Sequence, residues 1–257
     1  MPESGFIPGI YNYCDRWCER CEHCAQCMSY AMGKKIEDKG GFNFDDEVTR
    51  DDENVWVRLK EVFESTYEVL HELAEERGID IEDIYTSENI DKEFWGDDYE
   101  SGEHKDQDDL LVESSDIIRV CLIYENLADK CLEKIFELLE EGEDIGDDKM
   151  SENGADESLD VINWYLDLVQ AKMRRALYGH YRVKKSGKPD DEDYNGSAKV
   201  ALIAIDRMKP AWRTIAGCFP GYAREISHLV VVLEQLEQDI EKQFKDARSF
   251  LRPGFEK

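Results

Sequence analysis

Long apolar runs are missing from this 257-residue chain. The longest, Leu229-Val230-Val231-Val232-Leu233, falls far short of the roughly 18–20 residues that cross a bilayer, so no membrane span is expected. The opening MPESGFIPGIYNY lacks the basic start and apolar core of a secretory leader, and a cytoplasmic protein is therefore expected. Basic residues are few beside acidic ones: 32 Lys and Arg face 60 Asp and Glu, for a formal charge of −28. That surface repels phosphate backbones and anionic lipid, which argues against nucleic-acid and membrane partners. A protein partner with a basic face is the kind of partner it suits. No internal repeat, no phosphate-cradling glycine loop and no nucleophile–base pair stands out.

What is present is helical periodicity, carried by a chain that is 41% apolar and 11% aromatic. Residues 53–78 place Val55, Trp56, Leu59, Val62, Phe63, Thr66, Leu70 and Leu73 on one face, with Gly78 as a stop. A second helix is expected over 113–141, with Ser114 or Ser115 as N-cap and Gly142 as stop. A third, over 156–181, carries two apolar stripes. One is Leu159, Ile162, Leu166, Val169 and Met173; the other is Trp164, Leu168 and Ala171. Such a helix packs on two sides. The fourth runs over 196–216, with Ala201, Ile205, Met208, Trp212 and Ile215 inward and Pro210 expected to kink or divide it. The last covers 222–247, with Ile226, Leu229, Val230, Leu233, Leu236, Ile240 and Phe244 inward. Residues 79–112 read as an acidic connection with a short helical turn around Phe94 and Trp95. Strand alternation is absent. The expectation is an all-α bundle of about five helices, residues 51–257, preceded by a cysteine-rich metal-binding arm and acidic loop, residues 1–50. The helices after residue 53 carry enough apolar surface for a chain starting near Asp51 to fold.

Five of the eight cysteines, Cys14, Cys18, Cys21, Cys24 and Cys27, fall within fourteen residues. Thiolates bind metal, and packing several together is costly unless a cation or cluster neutralises them. Asp15, Arg16, Glu19, Arg20, Glu22 and His23 interrupt the run, so it forms no core stripe. Iron–sulfur and zinc are the two centres that fit. As one helix, Cys14, Cys18 and Cys21 would spread over about 10 Å at 1.5 Å per residue. Zinc needs its sulfurs closer, so the segment would have to unwind into a knuckle or loop. A larger iron–sulfur cluster accepts thiolates from one tight run, which favours it slightly.

FIPGIYNYCDRWCERC at 6–21, GSAKVALIAIDR at 196–207 and RPGF at 252–255 together resemble an uncharacterised group of bacterial proteins that has no assigned activity. The resemblance implies four ligands in the pattern Cys-x3-Cys-x2-Cys-x5-Cys, namely Cys14, Cys18, Cys21 and Cys27, with Cys24 an extra thiol.

The expected function is a metal-binding protein acting in electron transfer or redox sensing. One alternative is a non-enzymatic interaction module pinned by structural zinc; another is a carboxylate-bridged di-iron enzyme in the bundle. The di-iron signature is two Glu-x-x-His pairs facing inward, and Glu68/His71 and Glu225/His228 have the spacing. Glu68 falls opposite its helix's apolar stripe, however, and His228 points off its own. Glu125, inside the apolar arc of the second helix, is expected to pair with an Arg or Lys. Asp206 is expected to face outward with Lys199 and Arg213 in surface ion pairs. Cys121 and Cys131 read as buried structural thiols. Asn163, Asp167, Gln170 and Arg174 read as a solvated edge. A basic run, Lys172, Arg174, Arg175, Arg182, Lys184, Lys185 and Lys188, is expected to be neutralised by the acidic loops at 140–148 and 190–193.

Overall fold

Apolar residues three and four positions apart build every long element of the computed structural model, which describes residues 5–38, 67, 71, 75, 107–140, 154–186 and 193–256. Six helices have described ends: α1 (Met28–Asp38), α2 (Gln107–Glu113), α3 (Asp116–Glu140), α4 (Ala155–Ser186), α5 (Asp193–Cys218) and α6 (Ala223–Gln243). Among the described residues there is no strand. No described helix is long and apolar enough to cross a membrane. The stripe expected over 53–78 lies outside the described residues except at Tyr67, His71 and Glu75; Tyr67, His71 and Glu75 are helical. The turn expected around Phe94 and Trp95 lies outside them altogether.

The chain forms two compact units. One comprises Met1–Tyr11 and Cys18–His104; the other comprises Asn12–Trp17 and Lys105–Lys257. In the second unit α4 packs along α5, α6 lies against α5 and α3, and α2 and α3 both pack on α4. Small buried residues at the start of α5, Gly196, Ser197, Ala198, Ala201 and Ala204, leave room for α4 to approach closely. A Cβ on Gly179 of α4 would lie 3.1 Å from the Cβ of Tyr194. The stripe Ile117, Cys121, Tyr124, Ala128, Cys131 and Ile135 of α3 is buried, as are Ile226, Leu229, Leu233, Leu236 and Ile240 of α6. Burying each such aliphatic side chain is worth roughly 1.5–3 kcal/mol, so this unit carries its own core.

Three local expectations are corrected. The chain is already helical at Gln107 and breaks at Ser114–Ser115 before α3 begins. Of the two outcomes expected at Pro210, division does not occur, since α5 continues to Cys218; burial of Met208, Ala211 and Trp212 around it offsets the roughly 3 kcal/mol that an interior proline costs. The second stripe expected on α4 is not buried. Trp164 is 38% exposed and Ala171 is exposed, while Tyr165, Lys172 and Ala176 are buried in their place.

Candidate metal centre

None of the eight cysteines forms a disulfide. Four of the clustered five belong to the first unit, where the segment is not a helix but two successive tight turns. One 3-10 turn spans Cys18–Arg20 and the next Cys24–Gln26. Each is closed by the following cysteine: the Cys21 N–H donates to the Cys18 carbonyl at 3.1 Å and the Cys27 N–H to the Cys24 carbonyl at 3.2 Å. Cys18-x2-Cys21 and Cys24-x2-Cys27 are thus two copies of one local geometry. The His23 N–H reaches the Cys21 Sγ at 3.4 Å. The Cys24 thiol donates to the Cys18 carbonyl at 2.9 Å. Partial desolvation, then the neighbouring thiols of Cys21, Cys18 and Cys27, push Cys24 up to about 11. The Ile7 N–H, donating to the Gln26 carbonyl at 3.0 Å, closes the loop that contains both turns. Among the described residues no three His, Cys, Asp or Glu side chains come together as a metal-holding group.

Cys14 lies in the second unit, within the hexapeptide Asn12–Trp17, and almost every residue of that hexapeptide is held. The Asp15 carboxylate accepts from the Tyr165 hydroxyl at 2.6 Å and from the Arg207 guanidinium. Arg207 also donates to the Tyr165 oxygen. The other Asp15 oxygen accepts from the Trp17 N–H at 3.2 Å, a side-chain turn that helps hold Arg16 at φ 59°. The Trp164 indole donates to the Asp15 carbonyl at 2.9 Å. Trp17 stacks on Trp164 with ring centroids 5.1 Å apart and meets Tyr165 edge-on at 5.8 Å. Lys172, only 6% exposed, donates to the Asn12 carbonyl at 3.3 Å. Burial pulls its ammonium below the usual range; the Cys14 thiol opposes that shift, and Arg175 and Arg16 add to it.

Tyr13 completes the seat. Its ring packs against Phe250 at 5.1 Å, and its carbonyl accepts from Arg252 at 3.4 Å. Both rings lie over Gly196, where an added Cβ would sit 2.3 Å from the Tyr13 ring and 2.8 Å from Phe250. Lys199 ties the same C-terminal turn down through Glu256 at 2.8 Å.

No known protein family, characterised protein or solved structure matches this chain. Its chemistry therefore has to be read from its own residues, and several expectations drawn from sequence need correction. Glu125 pairs with neither Arg nor Lys. One oxygen accepts from the Gln170 amide at 3.1 Å, and the other is buried with no hydrogen-bond partner. Burial, then Asp167 and Asp129, push Glu125 up to about 7. Arg174, on the same edge, binds Glu113 and the side-chain amide oxygen of Gln170. Gln170 is accordingly part of a relay rather than of a solvated edge. Asp206 pairs with Arg248 and Lys209, not with Lys199 and Arg213; Lys199 is used at the C-terminal turn and Arg213 meets Glu234. Lys172 does not belong to a surface basic run, because it is buried under residue 12. Arg175 is neutralised by Asp193 at 2.7 Å, and Lys185 faces Asp108 at 3.8 Å. Lys188 and residues 141–148 and 190–192 lie outside the described residues. Glu225 and His228 are exposed on α6, away from the core that a di-iron pair would have to face, and Glu68 is outside the described residues. Cys121 and Cys131 are buried, at 1% and 5% exposure, as expected.

Asp15, Trp17, Tyr165 and Arg207 had no role in the reading of the sequence. Asp15 entered only as one of the polar residues that interrupt the cysteine run, and Trp17 and Arg207 only inside the stretches 6–21 and 196–207. The stretches 196–207 and 252–255 supply Gly196, Lys199, Arg207 and Arg252, which all act on residues 12–17 or on the turn beside them.

Proposed function

We propose that this protein carries a metal centre held by the thiolates of the two turns of its cysteine run, with Cys18, Cys21 and Cys27 as ligands. The observation that carries the reading is the state of these thiols. They are half-buried, in no disulfide, and set on or beside tight turns, unlike the core thiols of α3. Several half-buried thiols so close together in sequence become more stable when a cation accepts them as thiolates. The Cys24 thiol is engaged with the Cys18 carbonyl, which supports the pattern implied by the resemblance, with Cys24 the extra thiol.

An iron–sulfur centre serving electron transfer or redox sensing is the first reading, because a single run supplies the ligands. Structural zinc is the second, and a specific observation favours it: the segment has unwound into two Cys-x2-Cys turns, the condition that zinc imposes. In the zinc reading the protein is an interaction module whose acidic surface meets a basic partner. Reduced thiols in either centre suit a cytoplasmic setting.

Anaerobic purification followed by elemental analysis and visible spectroscopy tests the proposal. A brown protein with stoichiometric iron supports the first reading, and a colourless one with stoichiometric zinc the second. Metal content should fall on Cys27→Ser and persist on Cys24→Ser. Wild-type protein with neither metal would refute the proposal.

A further inference from the structure

Glu125 is half-buried where α3 packs on α4, and its two oxygens differ. One accepts from the Gln170 amide at 3.1 Å; the other is buried with no hydrogen-bond partner. The bond to Gln170 is the first link of a chain. The Gln170 side-chain oxygen accepts from the Arg174 Nε at 3.4 Å, and the Arg174 guanidinium pairs with Glu113, the last residue of α2. Directly after Glu113 comes the break between α2 and α3. There the Ser114 N–H donates to the Leu110 carbonyl and the Ser115 N–H to the Val112 carbonyl, each at 3.0 Å. A carboxyl on α3 is thus linked in three steps to the joint between α2 and α3.

The charged groups that act on Glu125 are acids. Asp167 on α4 and Asp129 on its own helix oppose its ionisation, as burial does, and the Cys121 thiol lies one turn back. Beside it, Tyr124 meets the neutral Met208 and Trp212 of α5, and Glu225 of α6 acts on Cys131, further along α3. Arg174 is one side chain removed, through Gln170, and is engaged with a half-exposed glutamate. A pair of that kind contributes little, whereas a desolvated carboxylate left with a single donor is costly. We propose that Glu125 triggers a pH-sensitive latch: when its carboxyl ionises, Arg174 leaves Glu113 for the unpartnered oxygen, and the C-terminal end of α2 comes free of α4. Burial, which pushes Glu125 up to about 7, sets the switching range near neutrality. Below that range a neutral Glu125 makes no demand on Arg174, and the Glu113 pair stays closed. The start of α2 is held independently, because Asp108 faces Lys185 and Asp109 accepts from the Tyr178 hydroxyl. Motion is therefore confined to the last turn of α2 and the joint that follows it.

The test is deuterium uptake by residues 107–115 of the full-length protein at pH 6 and pH 8, with labelling times scaled for intrinsic chemical exchange and α6 as internal reference. In wild type, uptake by 107–115 should quicken about tenfold between the two values while α6 stays level, a coupling of ordinary size. Glu125→Gln keeps the shape of the side chain and an acceptor for Gln170 but cannot ionise, so uptake should be slow at both values. Glu113→Gln removes the pair that holds the latch, so uptake should be fast at both. Wild-type uptake that does not respond to pH overturns the latch, and so does a full pH response in either variant. Should Glu125→Gln lose its helical circular-dichroism signal, Glu113→Gln, at an exposed position, decides the matter.

Discussion

Cys121 and Cys131 differ from the five cysteines near the N-terminus in every respect that governs thiol chemistry. The two on α3 stand among aliphatic and aromatic neighbours in the core, and burial, then Glu125, pushes Cys121 up to about 12. They act as small apolar side chains that happen to contain sulfur. The five in the run are half-buried, lie on or beside tight turns, and have charged residues between them. The same residue type is packing material in one place and candidate ligand in the other. Backbone geometry makes the difference: a regular helix lines its cysteines along a buried stripe, and a pair of 3-10 turns leaves them half-buried.

The severest way to break this comparison is to remove the run together with its seat. A chain beginning near Asp51 keeps the helices but loses Asp15, Trp17 and the Asn12 carbonyl. Lys172 loses its acceptor together with the cover of residue 12, and the half-exposed Arg207 loses its carboxylate. The packing of Tyr13 and Trp17 on the bundle goes too, at roughly 1.5–3 kcal/mol for each large apolar side chain, so this fragment should be helical by circular dichroism yet melt below the full-length protein. A fragment as stable as the whole chain would mean that residues 12–17 contribute nothing to the bundle.

Next in size is the double replacement Cys18→Ser with Cys21→Ser. Metal content should drop to background, with thermal unfolding of the bundle measured in the presence of chelator unchanged. Cys121→Ser should do the reverse. A hydroxyl placed in that apolar site costs about 1–3 kcal/mol, visible as a lowered denaturant midpoint, while metal content holds. If the two changes had the same phenotype, the division between core and ligand thiols would fail.

Glu125 provides the smallest and sharpest test, because it adjoins Cys121. Its folded-state value of about 7 stands above the ordinary glutamate value. Between the two the folded protein holds a proton that the unfolded chain has released, so this group makes stability fall as pH rises through that window and then level off. Glu125→Gln should remove this contribution. The variant should gain stability over wild type at pH 8 and show little gain at pH 5, as measured by urea unfolding at each pH. A constant difference across that range would assign the effect to shape rather than charge.

The helices were legible because their signal is local and repeated. The inward positions expected on α6, from Ile226 to Phe244, are buried, as are Ala201, Ile205, Met208, Trp212 and Ile215 on α5. The cysteine run was legible by density alone, but its unwinding was not, since nothing in Cys-x2-Cys spacing distinguishes a 3-10 turn from a helical one. The seat of Asn12–Trp17 was the least legible part. It joins residue 15 to residues 165 and 207 and residue 13 to residues 196 and 250, and contacts over such separations leave no periodic trace. Trp164 shows the same limit from the other side. Periodicity places it on an apolar stripe, whereas its surface position is occupied by another tryptophan brought in from the beginning of the chain.

Gly196 also bears on how this sequence is free to change over evolutionary time. Most glycines inside helices can drift to alanine with a gain in helix stability, but here the methyl group would meet two aromatic rings that arrive from opposite ends of the polypeptide. The substitution becomes tolerable once residues 13 and 250 have both given up their rings. Three positions drawn from both ends of the chain are therefore expected to vary as a group, and a homologue in which residue 196 alone has gained a side chain would show that the notch is not a shared constraint.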